Sequence, residues 1–287
     1  MELVILMDWL SNDVILRKIS FEGVIDNETI LHVGGRGSSV ISLTDNELVR
    51  VNIRGEEMPY IPGSTIKGLL RSATASVLQA LGIETCENDD YEGCLEANTL
   101  LNNIKWLEKD KVLNILDKFC PICKIFGAGK YRSKVIITDA YPSDPGELRI
   151  SVKSQNAIDR RQGSAIRGGL FTLEYILPRN RFNFEIVFNN LPNYLVGLVA
   201  LGMKLVNSGI IRVGMMKSKG FGHIKFKIKR LKIITDDGDG KKLARLNERD
   251  SEITFEKLEL DKEENIEKFT DNILDKFIES WANYVKG

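Results

Sequence analysis

The chain has 287 residues, 43% hydrophobic and 28% charged, with 40 acidic against 40 basic side chains. That length accommodates one large or two small domains with a real core. No apolar run is long enough to span a bilayer, and the opening Met1-Glu-Leu-Val-Ile-Leu-Met-Asp-Trp9 is too short for a secretory leader, so a cytoplasmic protein without membrane contact is expected.

Zero net charge does not announce a nucleic-acid partner. The charges are segregated, however. Arg and Lys crowd residues 153–181 and 212–232, while Asp and Glu crowd 84–96 and 236–279.

Residues 14–25 alternate well enough for a strand, and Ile30-Leu-His-Val-Gly-Gly35 ends it or forms the next one. His32 reads as packed or surface rather than catalytic, since no Asp or Ser partner is legible beside it. Gly34, Gly35 and Gly37 make a loop. Within 39–53, Asp45-Asn46 separates two apolar stretches, so Asp45 reads as a turn-forming acid.

The best-marked element follows: Met58-Pro-Tyr-Ile-Pro-Gly-Ser-Thr-Ile-Lys-Gly-Leu-Leu-Arg-Ser-Ala73. Pro62-Gly63 punctuates a turn and pushes Ile61 to extended geometry. Ser64 or Thr65 is a good N-cap. Ile66, Leu69, Leu70, Ala73, Val77 and Leu81 recur at helical spacing and predict a buried stripe, with Gly82 as the stop. Lys67 and Arg71, four apart, share one face just beyond the helix start. Free amides around Ser64, the positive end of the helix and two cations make a phosphate site; an ordinary capped helix with a solvated basic edge is the plainer alternative.

Residues 83–126 read as an insertion, acidic at first and then helical over 97–107 and 111–119. It holds all four cysteines, Cys86, Cys94, Cys120 and Cys123. Cys120-Pro-Ile-Cys123 is a common half of a zinc site, and Cys86 with Cys94 would supply the other half across an unusual spacing. Disulfides and buried free thiols stand as rival readings. Four thiolates leave no open position, so zinc here would be structural.

Residues 134–141 read as a core strand with Asp139 near its end. Residues 151–181 then place a turn-rich basic segment between two extended runs. Lys153, Arg160, Arg161 and Arg167 bring dense charge, Gln155 and Asn156 neutral donors, and Gly163, Gly168 and Gly169 close backbone approach to a phosphate. A solvated loop is the plainer alternative. Residues 182–188 alternate as a strand. A helix follows from about 194 to 206, entered through Asn190 and Pro192 and stopped at Asn207-Ser-Gly209.

Arg212-Val-Gly-Met-Met-Lys-Ser-Lys-Gly-Phe-Gly-His223 is a glycine-rich loop ahead of a strand over 224–232. Gly214, Gly220 and Gly222 free the backbone, Lys217 and Lys219 bring charge, and Ser218 brings a donor. No helix start with Lys-Ser follows, so the loop reads as a phosphate cradle rather than a nucleoside triphosphate site. His223 reads as a bystander. Residues 235–252 form a hydrophilic link, and 263–285 an amphipathic helix with Ile266, Phe269, Ile273, Phe277 and Trp281 on one stripe.

Pro59-Tyr-Ile-Pro-Gly-Ser-Thr-Ile-Lys-Gly-Leu-Leu-Arg-Ser72 resembles the signature of RAMP-superfamily proteins of type III CRISPR-Cas systems, most of all the subunit that polymerises along the guide RNA. The runs Leu31-His-Val-Gly-Gly35, Cys120-Pro-Ile-Cys-Lys-Ile-Phe-Gly127, 153–175 and 212–223 match it too, so the resemblance spans roughly residues 14 to 232. Together with the order strand, helix, strands, helix, strand, it predicts an α+β fold with a ferredoxin-like (RRM-like) core over 1–82 and 127–234. A β-hairpin thumb is expected at about 151–181, a helical, cysteine-bearing insertion over 83–126, and a linker with a C-terminal helix over 235–287. A sheet presenting backbone and aromatics would be one way to hold single-stranded RNA.

The resemblance implies a backbone subunit that binds crRNA and target RNA, associates with other subunits of the complex and with itself along the guide, and cuts paired target RNA. The family carries a carboxylate in the loop before the Pro-Gly-Ser helix, and Asp45, ahead of Leu48-Val49-Arg50, fits that place, with Glu47 as its neighbour. Cleavage would then use a divalent cation, Mg²⁺ or Mn²⁺, beside Asp45. Two other readings stand: a RAMP subunit that binds RNA without cutting it, and a zinc-stabilised interaction protein unrelated to RNA.

Overall fold

The computed structural model describes residues 8–35, 44–53, 55–86, 92–103, 109–235 and 241–286. Gly37 lies outside them. Strand β1 (Arg17–Asn27) is followed by a short ribbon of β2 (Arg50–Ile53) and β3 (Glu56–Pro59), then helix α1 (Gly63–Ala80). The stretch rich in cysteine forms α2 (Glu92–Asn103), α3 (Lys109–Asp117) and α4 (Pro121–Phe126). Next come β4 (Val135–Ile137), β5 (Tyr141–Pro142), β6 (Ile150–Ile158), β7 (Ala165–Ile176), β8 (Arg181–Asn189) and α5 (Asn193–Asn207). Strand β9 (Ile224–Thr235), the small pair β10 (Lys242–Leu243) and β11 (Ile253–Thr254), and α6 (Ile266–Lys286) complete the chain. The fold is α+β with antiparallel sheets. Among the described residues, no helix is long and apolar enough to cross a membrane.

The main sheet runs β4-β8-β1-β9, with β5 also on β8. Alternation puts Ile19, Phe21 and Ile25 of β1 on one face, opposite Phe188, Ile186 and Phe182 of β8. Helices α1, α5 and α6 cover this face. The Phe21 ring lies 5.0 Å from Phe188 and 5.6 Å from Phe277 of α6. Helix α5 is buried nearly all round, which its apolar sequence requires. Gly197 lets α6 approach it, since a Cβ there would stand 2.0 Å from the Phe277 carbonyl oxygen. Because Phe21, Phe182, Phe184, Phe188 and Phe226 all point into this layer, the sheet's phenylalanines are buried and unavailable to stack on bases. Glu22 and Glu185 sit paired across β1 and β8 on the opposite face. Aromatics presented by the sheet to single-stranded RNA would therefore not be these phenylalanines.

Helix α1 buries Ile66, Leu69, Leu70, Ala73 and Val77 of the expected stripe, but Leu81, the residue that caps its end, is exposed. It ends as Gly82 allows: with φ 69°, Gly82 donates to Gln79 O, and Ile83 to Leu78 O, closing the last turn. Its start differs from expectation. Neither Ser64 nor Thr65 caps it; Pro62 is the cap residue, and the Gly63 N–H donates to Asp139 Oδ1 at 2.7 Å. The strand expected over 134–141 splits for the same reason. Ala140 pairs with Ile61 instead of continuing along β8, and Asp139 turns toward the helix.

Candidate nucleic-acid interface

Strands β6 and β7 form a separate two-stranded hairpin. Its turn is built by Asp159, whose carboxylate accepts from the amides of Arg161 and Gln162, with Gly163 at φ 65°. Lys153, Asn156, Arg160, Arg161 and Arg167 are all exposed. The register pairs Lys153 with Leu173, Ser154 with Thr172 and Asn156 with Leu170. Lys153 and Asn156 therefore lie on opposite faces of the hairpin, not on one basic surface.

The glycine-rich loop packs on the segment after β1 and reaches the hairpin. A Cβ on Gly214 would stand 2.0 Å from the His32 carbonyl oxygen, and one on Gly222 1.9 Å from that of Val213, so both positions require glycine. Gly220, at φ 89°, closes the single turn Lys217–Lys219, which presents Lys217, Ser218 and Lys219 to solvent. Lys219 Nζ donates to Gln155 Oε1 at 2.9 Å, joining this loop to β6. His32 is buried, and its Nδ1 lies 2.6 Å from Glu174 O; burial holds its pKa below the ordinary value. It is a packed residue.

Asp45 belongs to the far edge of β7. Its Oδ2 accepts from the Thr172 N–H at 2.7 Å and from Thr172 Oγ1 at 2.9 Å, and its own N–H donates to Thr172 Oγ1 at 3.0 Å. The Thr172 amide, then its hydroxyl, hold the exposed Asp45 carboxyl below the usual carboxylate range, so it is ionised at neutral pH. Two residues along, Glu174 binds Arg50 bidentately, at 2.9 and 3.1 Å, and accepts the Leu48 N–H. The loop carrying Asp45 is thus stapled to the hairpin. Among the described residues Asp45 belongs to no cluster of three or more metal-ligating side chains. Thr172 and Glu174 carry no local signal, since their partners are more than a hundred residues away.

On α1, Lys67 is half-buried, and its pKa is lowered by burial and then by Arg71. Arg71 also donates to Gly127 O at 3.4 Å. Two neighbouring cations favour an anion between them. Ser64 is exposed beside them, but the first amide of the helix is taken by Asp139.

The basic stretch 212–232 divides in two. In its strand half most of the cations are ion-paired. Lys227 pairs with Asp26 at 2.9 Å and Glu267 at 3.5 Å, Lys229 with Glu263 at 3.4 Å, and Arg230 with Glu22 and Glu259. The acidic C-terminal segment supplies most of these partners. Its loop half, with Lys217 and Lys219, forms no ion pair among the described residues, and neither do Lys153, Arg160, Arg161 and Arg167 of the hairpin. Positive charge is left where the loop and hairpin meet.

The four cysteines converge. Cys86 follows the end of α1, Cys94 lies on α2, and Cys120 and Cys123 frame the start of α4. Their sulfurs all lie within 4.8 Å of one another, with Cys86 Sγ 3.2 Å from Cys123 Sγ and 3.7 Å from Cys120 Sγ. All four thiols are free, so the disulfide reading fails. A tetrahedral ion with metal–sulfur bonds of about 2.3 Å sets sulfurs roughly 3.8 Å apart, which these spacings fit. The Cys120-Pro-Ile-Cys123 run is the first turn of a helix rather than an extended knuckle, because Pro121 suits a helix start.

The family model described as the RAMP superfamily matches residues 24–225. The CRISPR system Cms endoribonuclease Csm3 of Methanocaldococcus jannaschii is 30% identical over 224 residues, covering 73% of this chain and 79% of the relative. The protein of the same name from Streptococcus thermophilus is 25% identical over 236 residues, covering 77% and 92%. A chain of the cryo-EM structure of the Type III-B Cmr-beta bound to cognate target RNA aligns with a TM-score of 0.48 at 17% identity, covering 76% of this chain and 61% of that one. With well over half its length matched by the family model, this chain belongs to the RAMP superfamily.

Proposed function

We propose that this protein is a crRNA-binding backbone subunit of a type III CRISPR effector complex and that it cuts target RNA paired to the guide. The observation that carries the cleavage reading is Asp45, an ionised, exposed carboxylate held at the base of a basic hairpin. The Csm3 names of the two relatives, both endoribonucleases, support the same assignment. The order of the main sheet, with its two intervening helices α1 and α5, supports a ferredoxin-like core, with the hairpin as thumb and 83–126 as insertion.

In this reading Lys67, Arg71, Lys217, Ser218, Lys219 and the backbone at Gly220 and Gly222 hold guide phosphates without reading sequence. Ser64 adds a hydroxyl beside the first two. Lys153, Asn156, Arg160, Arg161 and Arg167 flank the paired strands from the hairpin. RNA brings its own nucleophile in the 2′-hydroxyl, so the protein need not supply a Ser or Cys. A Mg²⁺ or Mn²⁺ ion, held by Asp45 and otherwise by water, would supply charge neutralisation at the scissile phosphate. Asp45 fits such a ligand because Oδ2 is occupied by Thr172 and Oδ1 accepts no hydrogen bond among the described residues. Zn²⁺ would be held by Cys86, Cys94, Cys120 and Cys123, and would join the insertion to the end of α1. The working location is the cytoplasm, with crRNA, target RNA, copies of this chain and other subunits as partners.

The test is Asp45→Ala in a reconstituted complex. Target cleavage should be lost while guide binding and assembly persist. Cleavage at the wild-type rate would move the assignment to Glu47 or to another subunit.

A further inference from the structure

We propose that Thr172 is a positioning residue for Asp45, so that the hairpin strand which flanks the RNA also sets the aim of the carboxylate. The inference rests on the reading that Asp45 serves cleavage. It goes beyond it by naming what orients that group and how the orientation depends on the hairpin.

A lone aspartate on a loop rotates about two side-chain bonds and presents either oxygen. Here it does not have that freedom. Thr172 gives Oδ2 two donors, its amide at 2.7 Å and its hydroxyl at 2.9 Å. The same hydroxyl oxygen accepts the Asp45 N–H at 3.0 Å, which closes a small ring through one side chain. Backbone pairing extends the lock. The Asn46 N–H donates to Thr172 O at 3.1 Å, and the Glu174 N–H donates to Asn46 O at 3.0 Å. With Oδ2 saturated, Oδ1 is the oxygen offered outward. Placement of one reacting group to within a fraction of an ångström is what proximity effects depend on.

The position of Thr172 in the hairpin gives the lock a second consequence. Thr172 pairs with Ser154 of β6, and five residues earlier on β7 the exposed Arg167 stands near the turn. On the other face of the ribbon, Gln155 of β6 takes the Lys219 bond from the glycine-rich loop. The paired strands of the hairpin therefore join the basic tip, the phosphate cradle and the carboxylate. A shift of the hairpin when a target strand pairs with the guide moves Thr172, and Asp45 must follow.

Three variants in the reconstituted complex test this. Thr172→Val keeps the shape and the backbone donor but removes the hydroxyl; Thr172→Ser keeps the hydroxyl; Asp45→Ala is the reference. Thr172→Val should slow single-turnover cleavage by on the order of tenfold to a hundredfold, with guide and target affinity unchanged, and Thr172→Ser should recover most of that loss. A readout independent of cleavage is amide hydrogen exchange without divalent cation. The Asp45 amide should lose protection in Thr172→Val and regain it in Thr172→Ser. Wild-type cleavage by Thr172→Val beside a dead Asp45→Ala overturns the positioning role alone. Equal losses in the Val and Ser variants, with faster exchange along β6, also overturn it, since that is strand disruption. Wild-type cleavage by Asp45→Ala overturns the parent reading instead.

Discussion

Asp139 and Gly63 stand 76 residues apart in sequence, yet Asp139 Oδ1 accepts the first amide of α1 at 2.7 Å. The carboxylate occupies the place where sequence alone puts a phosphate. It also accepts from the Tyr141 hydroxyl at 3.4 Å, and the Tyr141 ring stacks on Tyr60 with centroids 5.6 Å apart. An RNA phosphate at α1 would therefore have to meet Lys67 and Arg71 on the flank of the helix rather than its first amide. Asp139→Ala should cost about 1 kcal/mol of stability, the usual loss on removing a helix cap, read as a lower urea midpoint. Asp139→Asn, which keeps an acceptor, should fall between the two. An unchanged midpoint in Asp139→Ala would show that water replaces the carboxylate at no cost.

The division of the basic stretch 212–232 predicts a contrast between neighbouring lysines. Reversing the charge of Lys217 and Lys219, or of Lys67 and Arg71, should weaken single-stranded RNA binding for every sequence alike. The slope of log affinity against log salt should fall by about 0.7 for each phosphate that the protein no longer neutralises. Lys225 and Lys227 are a built-in control, since Glu28, Asp26 and Glu267 already pair with them. Their replacement by Gln should leave the salt slope where it was. Equal losses from both pairs of lysines would mean that total charge, not its placement, governs binding.

The same contrast marks how far the sequence is legible. The stripe of α1, the strand β1, the glycine stop at Gly82 and the amphipathic α6 can be read because each is set by periodicity or by one residue's backbone freedom. Asp45 stands out by resemblance alone, since locally it is only a turn-forming acid. Thr172, Glu174 and Asp139 are not legible. Each acts through a partner far along the chain, and a Thr or Glu in an alternating strand looks like any other. The ion pairing in the strand half of 212–232 is hidden for the same reason, because its acids arrive from the tail. Composition reports how many charges a segment has, and only the fold reports which are already paired.

The cysteine cluster predicts metal content. Protein purified without added zinc should carry about one equivalent, and chelation should release it along with the constraint on residues 83–126. Amide exchange should rise in α2 and α4 while the hairpin β6–β7 is unaffected, since no cysteine touches it. Cys123→Ser should reproduce the chelated state, because Cys123 is buried and lies 3.2 Å from Cys86 across the cluster. Four titratable thiols with no bound metal would leave the cluster as a packed group of free cysteines.

Lys134 carries the last prediction. Its side chain is fully buried, and Nζ donates to Ser11 O at 3.0 Å and to Asn12 Oδ1 at 3.3 Å. Among the described residues no carboxylate pairs with it, and its nearest aromatic is Tyr131, 5.9 Å from Nζ to the ring centroid. Burial without a counter-ion penalises the ammonium, so its pKa falls from 10.5 to about 7. The unfolded chain keeps the ordinary lysine value. Between pH 7 and pH 10.5 the unfolded state therefore binds a proton that the native state does not, and native stability rises with pH across that window. The penalty is fully present below pH 7 and relieved as pH climbs. The slope from this group approaches about 1.4 kcal/mol per pH unit in mid-window. Ionisable groups elsewhere in the chain add their own pH dependence, so the measurement is a difference of differences. Urea midpoints of the wild type and of Lys134→Met are compared at pH 6 and pH 9. The wild type should gain stability relative to the variant on going to pH 9, because methionine removes the proton-linked penalty while keeping most of the buried volume. Parallel behaviour of the two proteins would mean that the bonds to Ser11 and Asn12 keep the ammonium charged at no net cost, and that its burial is tolerated as it stands.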